Sequence, residues 1–328
     1  MSGSTLSAAE KPVGGVAAVV VTYNRKALLL TCLRRLLAQQ NAACDVFVID
    51  NLSTDGTEEA VRALRCDRIR YHNAGKNLGG AGGFNLGIRL AAEEGYSRIW
   101  LMDDDTQPEP DALFMLLEAE RFLPAGYGFL SSTALWTDGT ECRMNRQKLR
   151  KDFYLDLPLL KSGIIRAEQA TFVGLFLRAD TVRKVGLPIR EFFIWGDDIE
   201  YTRRIAVRHR MPCYVAGKSR VVHATADNTG SSIALDVPER IPRYRYAFRN
   251  ENFLYRQEGI RGFAYYTAKC ALNLWRVLAA RKPYMLRRLG VIVGQYFAGL
   301  FFNPRVETLG GAAPYRSPGG EDNGTGNR

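Results

Sequence analysis

The alternation of apolar and polar positions in the first hundred residues predicts repeated strand–helix units. Residues 16–21 form a continuous run of apolar, mostly β-branched side chains, which is typical of a buried parallel strand, and residues 26–40 follow with leucines at helical spacing. The same alternation predicts further strands at 45–50, 68–71 and 98–102, and helices at 56–64 and 80–94. Strands alternating with helices indicate an α/β fold with a doubly wound, mostly parallel sheet, in which ligands bind at the carboxyl ends of the strands.

Three consecutive carboxylates, Asp103, Asp104 and Asp105, come directly after an apolar segment. Adjacent anions repel one another, and a divalent cation such as Mg²⁺ or Mn²⁺ that holds a substrate diphosphate relieves that repulsion. The alternative is a solvated acidic turn that opens the helix predicted near Glu109 and Pro110, where carboxylates interact favourably with the helix dipole. The triplet alone leaves both interpretations open.

Polar loops also follow the other predicted strands, and a bound nucleotide would span several of them. Asp50 is placed to accept hydrogen bonds from a base or ribose, as an acidic residue after the second strand does in dinucleotide folds. The glycine-rich stretch at 79–83 lacks the G-x-G-x-x-G and Walker spacings, so its glycines are expected to let the backbone approach a ligand closely. Taken singly, each loop is also explained by ordinary turn chemistry. The candidate residues are Thr22, Asn24, Arg25, Asp50, Asn51, Asn77 and Gly82.

The order of these motifs resembles a known family. The succession VVVTYNR, IDNLSTDGT, Asn77 with its glycine loop and LMDDD is similar to the nucleotide-sugar domain of family 2 inverting glycosyltransferases with a GT-A fold, over residues 16–225. Several ordered motifs that agree are more specific than any one of them. Within the family, NLGGAGGFN at 77–85 and WGDDIEY at 195–201 resemble galactofuranosyltransferases and rhamnosyltransferases that build bacterial surface glycans.

The resemblance implies a metal site. Asp103 and Asp105 match the metal-binding D-x-D, and His223, after a predicted strand at 220–222, matches a histidine that completes the site in some relatives. A divalent ion there stabilises the charge that develops on the leaving phosphate, and an imidazole ligand suits Mn²⁺ better than Mg²⁺. Without the resemblance, a lone histidine beyond a strand is usually structural.

The resemblance also implies a donor site and a catalytic base. Thr22, Asp50 and Asn77 match positions that hold the uridine part of a UDP-sugar, and Asp198 matches the base that deprotonates the acceptor hydroxyl. The alternative is that Asp198 and its neighbour only cap a helix predicted at 198–208. Trp195 is a candidate for stacking on a sugar. The remaining donor-site candidates are Asn24, Arg25, Asn51, Gly82, Asp104 and Asp197.

Charge distinguishes the C-terminal part of the chain. The net charge is +11, and residues 240–290 contain twelve Lys or Arg against Glu251 and Glu258. The apolar run at 289–302 is shorter than the roughly 20 residues of a spanning helix. Basic, aromatic and apolar residues together suggest a helix on an anionic membrane surface. A nucleic-acid groove, an ordinary packed helical subdomain and a subunit interface are the alternatives.

These observations predict four regions. We expect a disordered leader at 1–15, a catalytic GT-A domain at 16–235, a basic, aromatic, helical membrane-associating extension at 236–305, and a disordered tail at 306–328. The six cysteines are scattered with no C-x-x-C pair, so neither a disulfide framework nor a zinc knuckle is indicated, and a reducing cytosol fits best. The first residues lack the pattern of a signal peptide. We therefore expect a cytoplasmic protein, peripheral on the inner face of the cytoplasmic membrane.

The resemblance implies a metal-dependent inverting glycosyltransferase. The most specific expectation is transfer of galactofuranose from UDP-galactofuranose to a hydroxyl of a lipid-linked or polysaccharide acceptor of the bacterial cell envelope. A rhamnosyltransferase that uses dTDP-rhamnose is the alternative. A metal-dependent nucleotidyltransferase is a weaker one, because it does not need the second acidic pair some ninety residues after the first. The expected partners are the nucleotide-sugar donor, the lipid-linked acceptor and an anionic membrane, with a second copy of the chain as the alternative to the membrane, but no nucleic acid.

Overall fold

The structure is a computed structural model, and it describes residues 15–310. Within these residues, ten strands form one mixed sheet. The strands are β1 (Val16–Thr22), β2 (Asp45–Asp50), β3 (Ile69–Asn73), β4 (Arg98–Asp103), β5 (Thr106–Pro108), β6 (Phe129–Leu135), β7 (Lys148–Leu149), β8 (Ile164–Gln169), β9 (Leu175–Arg178) and β10 (Cys213–His223). The helices are α1 (Lys26–Leu37), α2 (Thr57–Arg62), α3 (Gly79–Glu93), α4 (Ala112–Glu120), α5 (Leu157–Lys161), α6 (Ala179–Val185), α7 (Asp197–Arg203), α8 (Tyr244–Arg256), α9 (Gly259–Ala280) and α10 (Met285–Phe301).

The first half of the sheet confirms the predicted strand–helix alternation. Strands β3, β2, β1 and β4 are neighbours in that order and run parallel. Alternate residues of β1 point to opposite faces, with Ala18 and Val20 in the core under α1 and Val19 and Val21 in the core under α3. Both faces of β1 are therefore buried, which explains why its sequence is a continuous apolar run.

Glycines let α3 lie unusually close to the sheet. A Cβ atom on Gly83 would lie 2.5 Å from Val21 Cγ1, and one on Gly87 would lie 2.3 Å from Val19 Cγ1. A Cβ atom on Gly82 would lie 2.6 Å from the Cβ of Leu78. Larger side chains at these three positions would push the helix away from β1 or deform its first turn. The close approach that Gly83 and Gly87 permit is between α3 and β1, while close approach of the glycine loop to a ligand stays a prediction.

The second half of the sheet contains strands that the hydrophobic pattern did not predict. Strand β9 lies antiparallel between β4 and β6, while β8 and β5 run antiparallel to β10, so seven of the ten strands share one direction. The strand predicted at 220–222 is the end of the eleven-residue β10. Its pairing with β6 shifts register between Ala216 and Arg220, and this irregularity breaks the alternation that would mark one long strand.

The C-terminal extension is helical, as predicted. Helices α8, α9 and α10 pack around a core of their own that includes Tyr244, Phe248, Tyr266 and Ile292. Within residues 15–310, none of the helices combines the length and apolar character needed to cross a bilayer.

The segment after α10 returns to the sheet domain. Val306 packs with Phe192, the backbone N–H of Leu187 donates to the Glu307 carbonyl over 2.8 Å, and the Glu307 side chain pairs with Arg89 and Arg190. The beginning of the expected tail is therefore packed and not free. The rest of that tail, 311–328, and the expected leader up to residue 14 lie outside the described residues.

Candidate active site

The three predicted metal ligands converge at one edge of the sheet. Asp103 ends β4, Asp105 lies in the turn that follows, and His223 ends β10. One oxygen from each carboxylate and one ring nitrogen of His223 lie within 4.8 Å of one another, and His223 Nε2 is 3.0 Å from Asp105 Oδ1. Two carboxylates and an imidazole at this spacing fit a divalent transition-metal ion such as Mn²⁺.

Burial controls the electrostatics of this cluster. It raises the pKa of Asp103 to about 7, with the charges of Asp105 and Asp198 adding to the effect. Burial also acts to lower the pKa of His223, but its hydrogen bond to Asp105 outweighs this and raises the pKa to about 10. Burial acts to raise the pKa of Asp105, and His223 and Arg25 outweigh it and lower that pKa. Nearby positive charges thus stabilise the buried carboxylates of this cluster, and a bound metal ion would stabilise them in the same way.

Asn145 orients the histidine, and sequence reasoning missed it. Its Oδ1 lies 2.6 Å from His223 Nδ1 and its Nδ2 donates to Thr171 Oγ1 over 2.9 Å. An amide oxygen only accepts, so His223 Nδ1 carries a proton and Nε2 is directed toward Asp105. Asn145 lies in a short 3₁₀ turn within an irregular segment, where the hydrophobic pattern carries no signal.

Asp104, between the two predicted ligands, is tied to the end of β1. Thr22 Oγ1 donates to Asp104 Oδ2 over 2.8 Å, and Arg25 Nη1 contacts Asp104 Oδ1 at 3.3 Å and Asp105 Oδ2 at 2.7 Å. Burial raises the pKa of Asp104 to about 6, although Arg25 and Thr22 oppose the shift. The structure therefore brings Thr22 and Arg25 to the acidic triplet, and half of the Arg25 side chain remains exposed to solvent.

Asp50 is already hydrogen-bonded inside the protein. Its Oδ1 accepts from the backbone N–H and the hydroxyl of Ser53 over 2.9 and 2.6 Å, and its Oδ2 accepts from the Tyr71 hydroxyl over 2.5 Å. Only 1% of the residue is exposed. The side chain thus holds the loop after β2 in place, and a nucleotide reaches at most its remaining lone pairs.

The three predicted asparagines also have internal partners. Asn51 donates to the Gly79 carbonyl and accepts from the Leu78 N–H, both over 3.1 Å. The side-chain oxygen of Asn24 accepts from the Thr54 N–H over 2.7 Å, and that of Asn77 accepts from the Gly79 N–H over 2.8 Å. These amides shape the loops of the sheet edge, as the alternative of turn chemistry predicts.

A second acidic pair opens α7. Burial raises the pKa of Asp198 to about 6 although its Oδ1 accepts from the Ile199 N–H over 2.7 Å, and the pKa of Asp197 is also raised by burial. The charge of Asp198 contributes to the raised pKa of Asp103, and that of Asp103 to the raised pKa of Asp197. The two acidic centres therefore lie close enough for their charges to interact. The residue before α7 is Gly196, and the helix has no side-chain cap, so the pair does not cap it in the usual way.

The loop before α7 is bent into an unusual backbone conformation. Phe193, Trp195 and Gly196 have φ values of 65°, 63° and 83°. The Phe193 carbonyl accepts from the Ala81 N–H, and a Cβ atom on Gly79 would lie 2.1 Å from that oxygen, so only glycine fits there. Trp195 is half-buried, and its ring packs against Tyr244 of α8 with centroids 4.9 Å apart.

Comparisons with known proteins agree with this architecture. Residues 17–148 match the family described as Glycosyl transferase family 2. The chain is similar to galactofuranosyltransferase GlfT1 of Mycolicibacterium smegmatis, with 27% identity over 267 residues that cover 75% of this chain and 84% of the relative. It is also similar to dTDP-rhamnosyl transferase RfbF of Shigella flexneri, with 24% identity over 74% of this chain and 80% of the relative.

A solved structure supports the fold. The crystal structure of GalNAc-T7 with UDP, GalNAc and Mn²⁺ superposes with a TM-score of 0.60 at 11% identity and covers 89% of this chain and 57% of that one. At this identity the likeness concerns the fold alone. Together with the family match, it supports the α/β fold described above. Residues 17–148 are therefore similar to a glycosyl transferase family 2 domain, and the chain has a GT-A fold.

Proposed function

We propose that the protein transfers galactofuranose from UDP-galactofuranose to a hydroxyl of a lipid-linked or polysaccharide acceptor, with inversion at the anomeric carbon. The observation that carries the proposal is the placement of two acidic centres at one sheet edge, the cluster of Asp103, Asp105 and His223 and the pair that includes Asp198. Similarity to proteins named galactofuranosyltransferase supports the choice of sugar.

The first centre is proposed to hold a divalent metal ion and the donor diphosphate. Asp103, Asp105 and His223 provide two oxygens and one nitrogen, a set that favours Mn²⁺ over Mg²⁺. A bound ion stabilises the negative charge of the leaving diphosphate. Arg25 lies against the same carboxylates with its side chain half-exposed, so we assign its guanidinium to the diphosphate as well.

Asp198 is proposed to be the base. Inversion by single displacement needs one group that removes the proton of the acceptor hydroxyl on the face opposite the leaving group. Burial raises the pKa of Asp198 to about 6, so the carboxylate is mostly ionised at neutral pH and is more basic than an exposed aspartate. Asp197 is more deeply buried than Asp198, and its raised pKa favours the protonated form.

A panel of nucleotide sugars tests this function. With Mn²⁺ and a polyprenyl-diphosphate glycan acceptor, UDP release should be fastest with UDP-galactofuranose. Faster release of dTDP from dTDP-rhamnose would favour the rhamnosyltransferase, in line with the similarity to RfbF. Release of pyrophosphate from a nucleoside triphosphate and a sugar phosphate, without release of a nucleoside diphosphate, would instead identify a nucleotidyltransferase.

We also propose that α9 and α10 attach the protein to an anionic membrane that presents the acceptor. Both helices expose large apolar side chains, among them Trp275 at 64%, Leu286 at 79% and Phe301 at 85%. Exposed apolar side chains of this size mark interaction surfaces when they are grouped. Near the loop that joins the helices, Arg281, Lys282 and Arg287 are exposed, and a surface with both properties is complementary to anionic lipid headgroups.

Not every basic residue of this region is available to a membrane. Arg288 is 2% exposed and donates to the backbone carbonyls of Ile233, Pro283 and Asp236. Arg256 likewise donates to carbonyls at the end of α10, and Lys269 pairs with Glu251 over 2.7 Å. The charge offered to a membrane is therefore smaller than the sequence count of residues 240–290 suggests.

A further inference from the structure

Asn250 of α8 holds the loop that leads to the proposed base. The residue is fully buried, and its Nδ2 lies 2.9, 3.2 and 2.8 Å from the backbone carbonyl oxygens of Phe192, Ile194 and Trp195. Its Oδ1 accepts from Nε and Nη2 of Arg249 over 3.1 and 2.9 Å, which fixes the amide with its nitrogen toward the loop. The two hydrogens of this amide nitrogen are thus shared among three carbonyls of the loop before α7.

The loop needs such support because its backbone is strained. Phe193 and Trp195 both have φ near +65°, a region that residues other than glycine rarely adopt. Such conformations persist only where the surroundings determine them. Two other hydrogen bonds also hold the loop. The Phe193 carbonyl accepts from the N–H of Ala81 in α3, and Arg249 Nη2 donates to the Glu191 carbonyl over 2.6 Å. Asn250 adds hydrogen bonds to the backbone of Ile194 and Trp195, at the end of the loop before α7.

We propose that Asn250 is a positioning residue for Asp198. The last carbonyl that it holds belongs to Trp195, and only Gly196 separates that residue from the first turn of α7. A shift of this carbonyl moves Asp197 and Asp198 relative to the acidic triplet, which is fixed separately by Thr22 and Arg25. The proposal rests on the proposed function only in naming Asp198 as the base. It makes α8 part of the catalytic apparatus and not only of the membrane-facing extension.

The chain offers a matched control on the same helix. Asn252 is also fully buried, but its Nδ2 donates to the Tyr296 carbonyl of α10 over 2.6 Å and not to the loop. Asn250→Ala, the isosteric Asn250→Asp and Asn252→Ala each remove a buried amide donor from α8. Loss of packing or stability alone should therefore affect both positions.

Two measurements on the full chain separate positioning from stability. Hydrogen exchange of the backbone amides of residues 190–199 should accelerate about tenfold or more in the Asn250 variants and stay unchanged in Asn252→Ala. The kcat for sugar transfer should fall about a hundredfold in the Asn250 variants with the KM for the donor within twofold, because the misplaced group acts on the acceptor. Asn252→Ala should keep both values near those of the wild type.

The exchange measurement does not depend on activity. Unchanged exchange in both Asn250 variants overturns the proposal, and so does faster exchange with a wild-type kcat. Equal acceleration in Asn252→Ala would show a general loosening of α8 and would also overturn it. If the wild type transfers no sugar from any donor, the proposed function fails, while the exchange data still decide whether Asn250 holds the loop.

Discussion

Asn145 accepts a hydrogen bond from His223 Nδ1 over 2.6 Å, while His223 Nε2 lies 3.0 Å from Asp105 on the other side of the ring. We predict that Asn145→Ala weakens Mn²⁺ binding about tenfold to a hundredfold, the usual cost of losing a partner that orients a ligand. Asn145→Asp keeps an acceptor and should restore most of the affinity. Calorimetric titration with MnCl₂ measures this, and unchanged affinity in Asn145→Ala would argue that His223 is not a ligand.

Removal of a proposed metal ligand should nearly abolish transfer. Asp103→Asn and Asp105→Asn are each expected to lower kcat by about a hundredfold or more, because a major stabiliser of the leaving diphosphate is lost. EDTA should have the same effect on the wild type, and added Mn²⁺ should reverse it. Asp67→Asn, which changes an exposed aspartate after α2, is the control and should leave kcat unchanged. Full activity after EDTA treatment would contradict metal binding and would favour the alternative that the three aspartates form a solvated acidic turn.

The pH dependence of transfer should report Asp198. Its pKa is raised to about 6, and the base acts when ionised, so kcat should be low below that pH and reach a plateau above it. Asp198→Asn should abolish transfer but leave the affinity for UDP with Mn²⁺ within about twofold of the wild type, because the base does not hold the nucleotide. A normal rate in Asp198→Asn would eliminate this residue as the base.

Membrane attachment should depend on charge and on the exposed apolar side chains together. Replacing Arg281, Lys282 and Arg287 by Gln should strongly reduce co-flotation with vesicles that contain 30 mol% anionic lipid, a mixture chosen to give roughly 1 kcal/mol of attraction per basic residue. Salt should have the same effect. Trp275→Ser should weaken attachment even at low salt, because it removes an exposed apolar side chain.

The matched control for attachment removes the same charge elsewhere. Arg34, Arg35 and Lys184 are exposed on α1 and α6, and their replacement by Gln should leave flotation unchanged. Equal recovery on neutral and anionic vesicles would contradict the charge argument. A dimer in light scattering that is lost on Trp275→Ser, with no vesicle binding, would identify the exposed apolar surface as a subunit interface.

The first half of the sheet could be predicted from the sequence, because the hydrophobic pattern of its strands matches their burial in the folded protein. Strands β1, β2 and β4 are buried on both faces, and all of β1 to β4 alternate with helices, so their apolar runs and polar ends are visible along the chain. Strands β8 and β9 pair antiparallel with strands distant in the chain, and the four residues of β9 are too few to show a period. Pairing between distant segments leaves no local signal.

The site shows the same division. The triplet and the later pair were visible as clusters of acidic residues, and the structure brings them to one edge of the sheet. The roles of Asn145 and Asn250 arise only from folding, since each acts on residues more than fifty positions away. Conversely, Asp50 ends β2 and Asn51 follows it, and both are polar, but their side chains hydrogen-bond to Ser53, to Tyr71 of β3 and to the start of α3.

A cut at residue 235, where the sequence suggests that the catalytic domain ends, would separate Asn250 from the three carbonyls it holds and Glu307 from Arg89 and Arg190. The C-terminal helices are therefore not an interchangeable module. Consider a chimera in which the C-terminal helices come from a relative. We expect its loop before α7 to keep the conformation seen here only if residues 190–196 come from the same relative, because this loop and α8 contact each other directly. Variation in acceptor preference among such proteins is then expected to involve paired changes in these two segments.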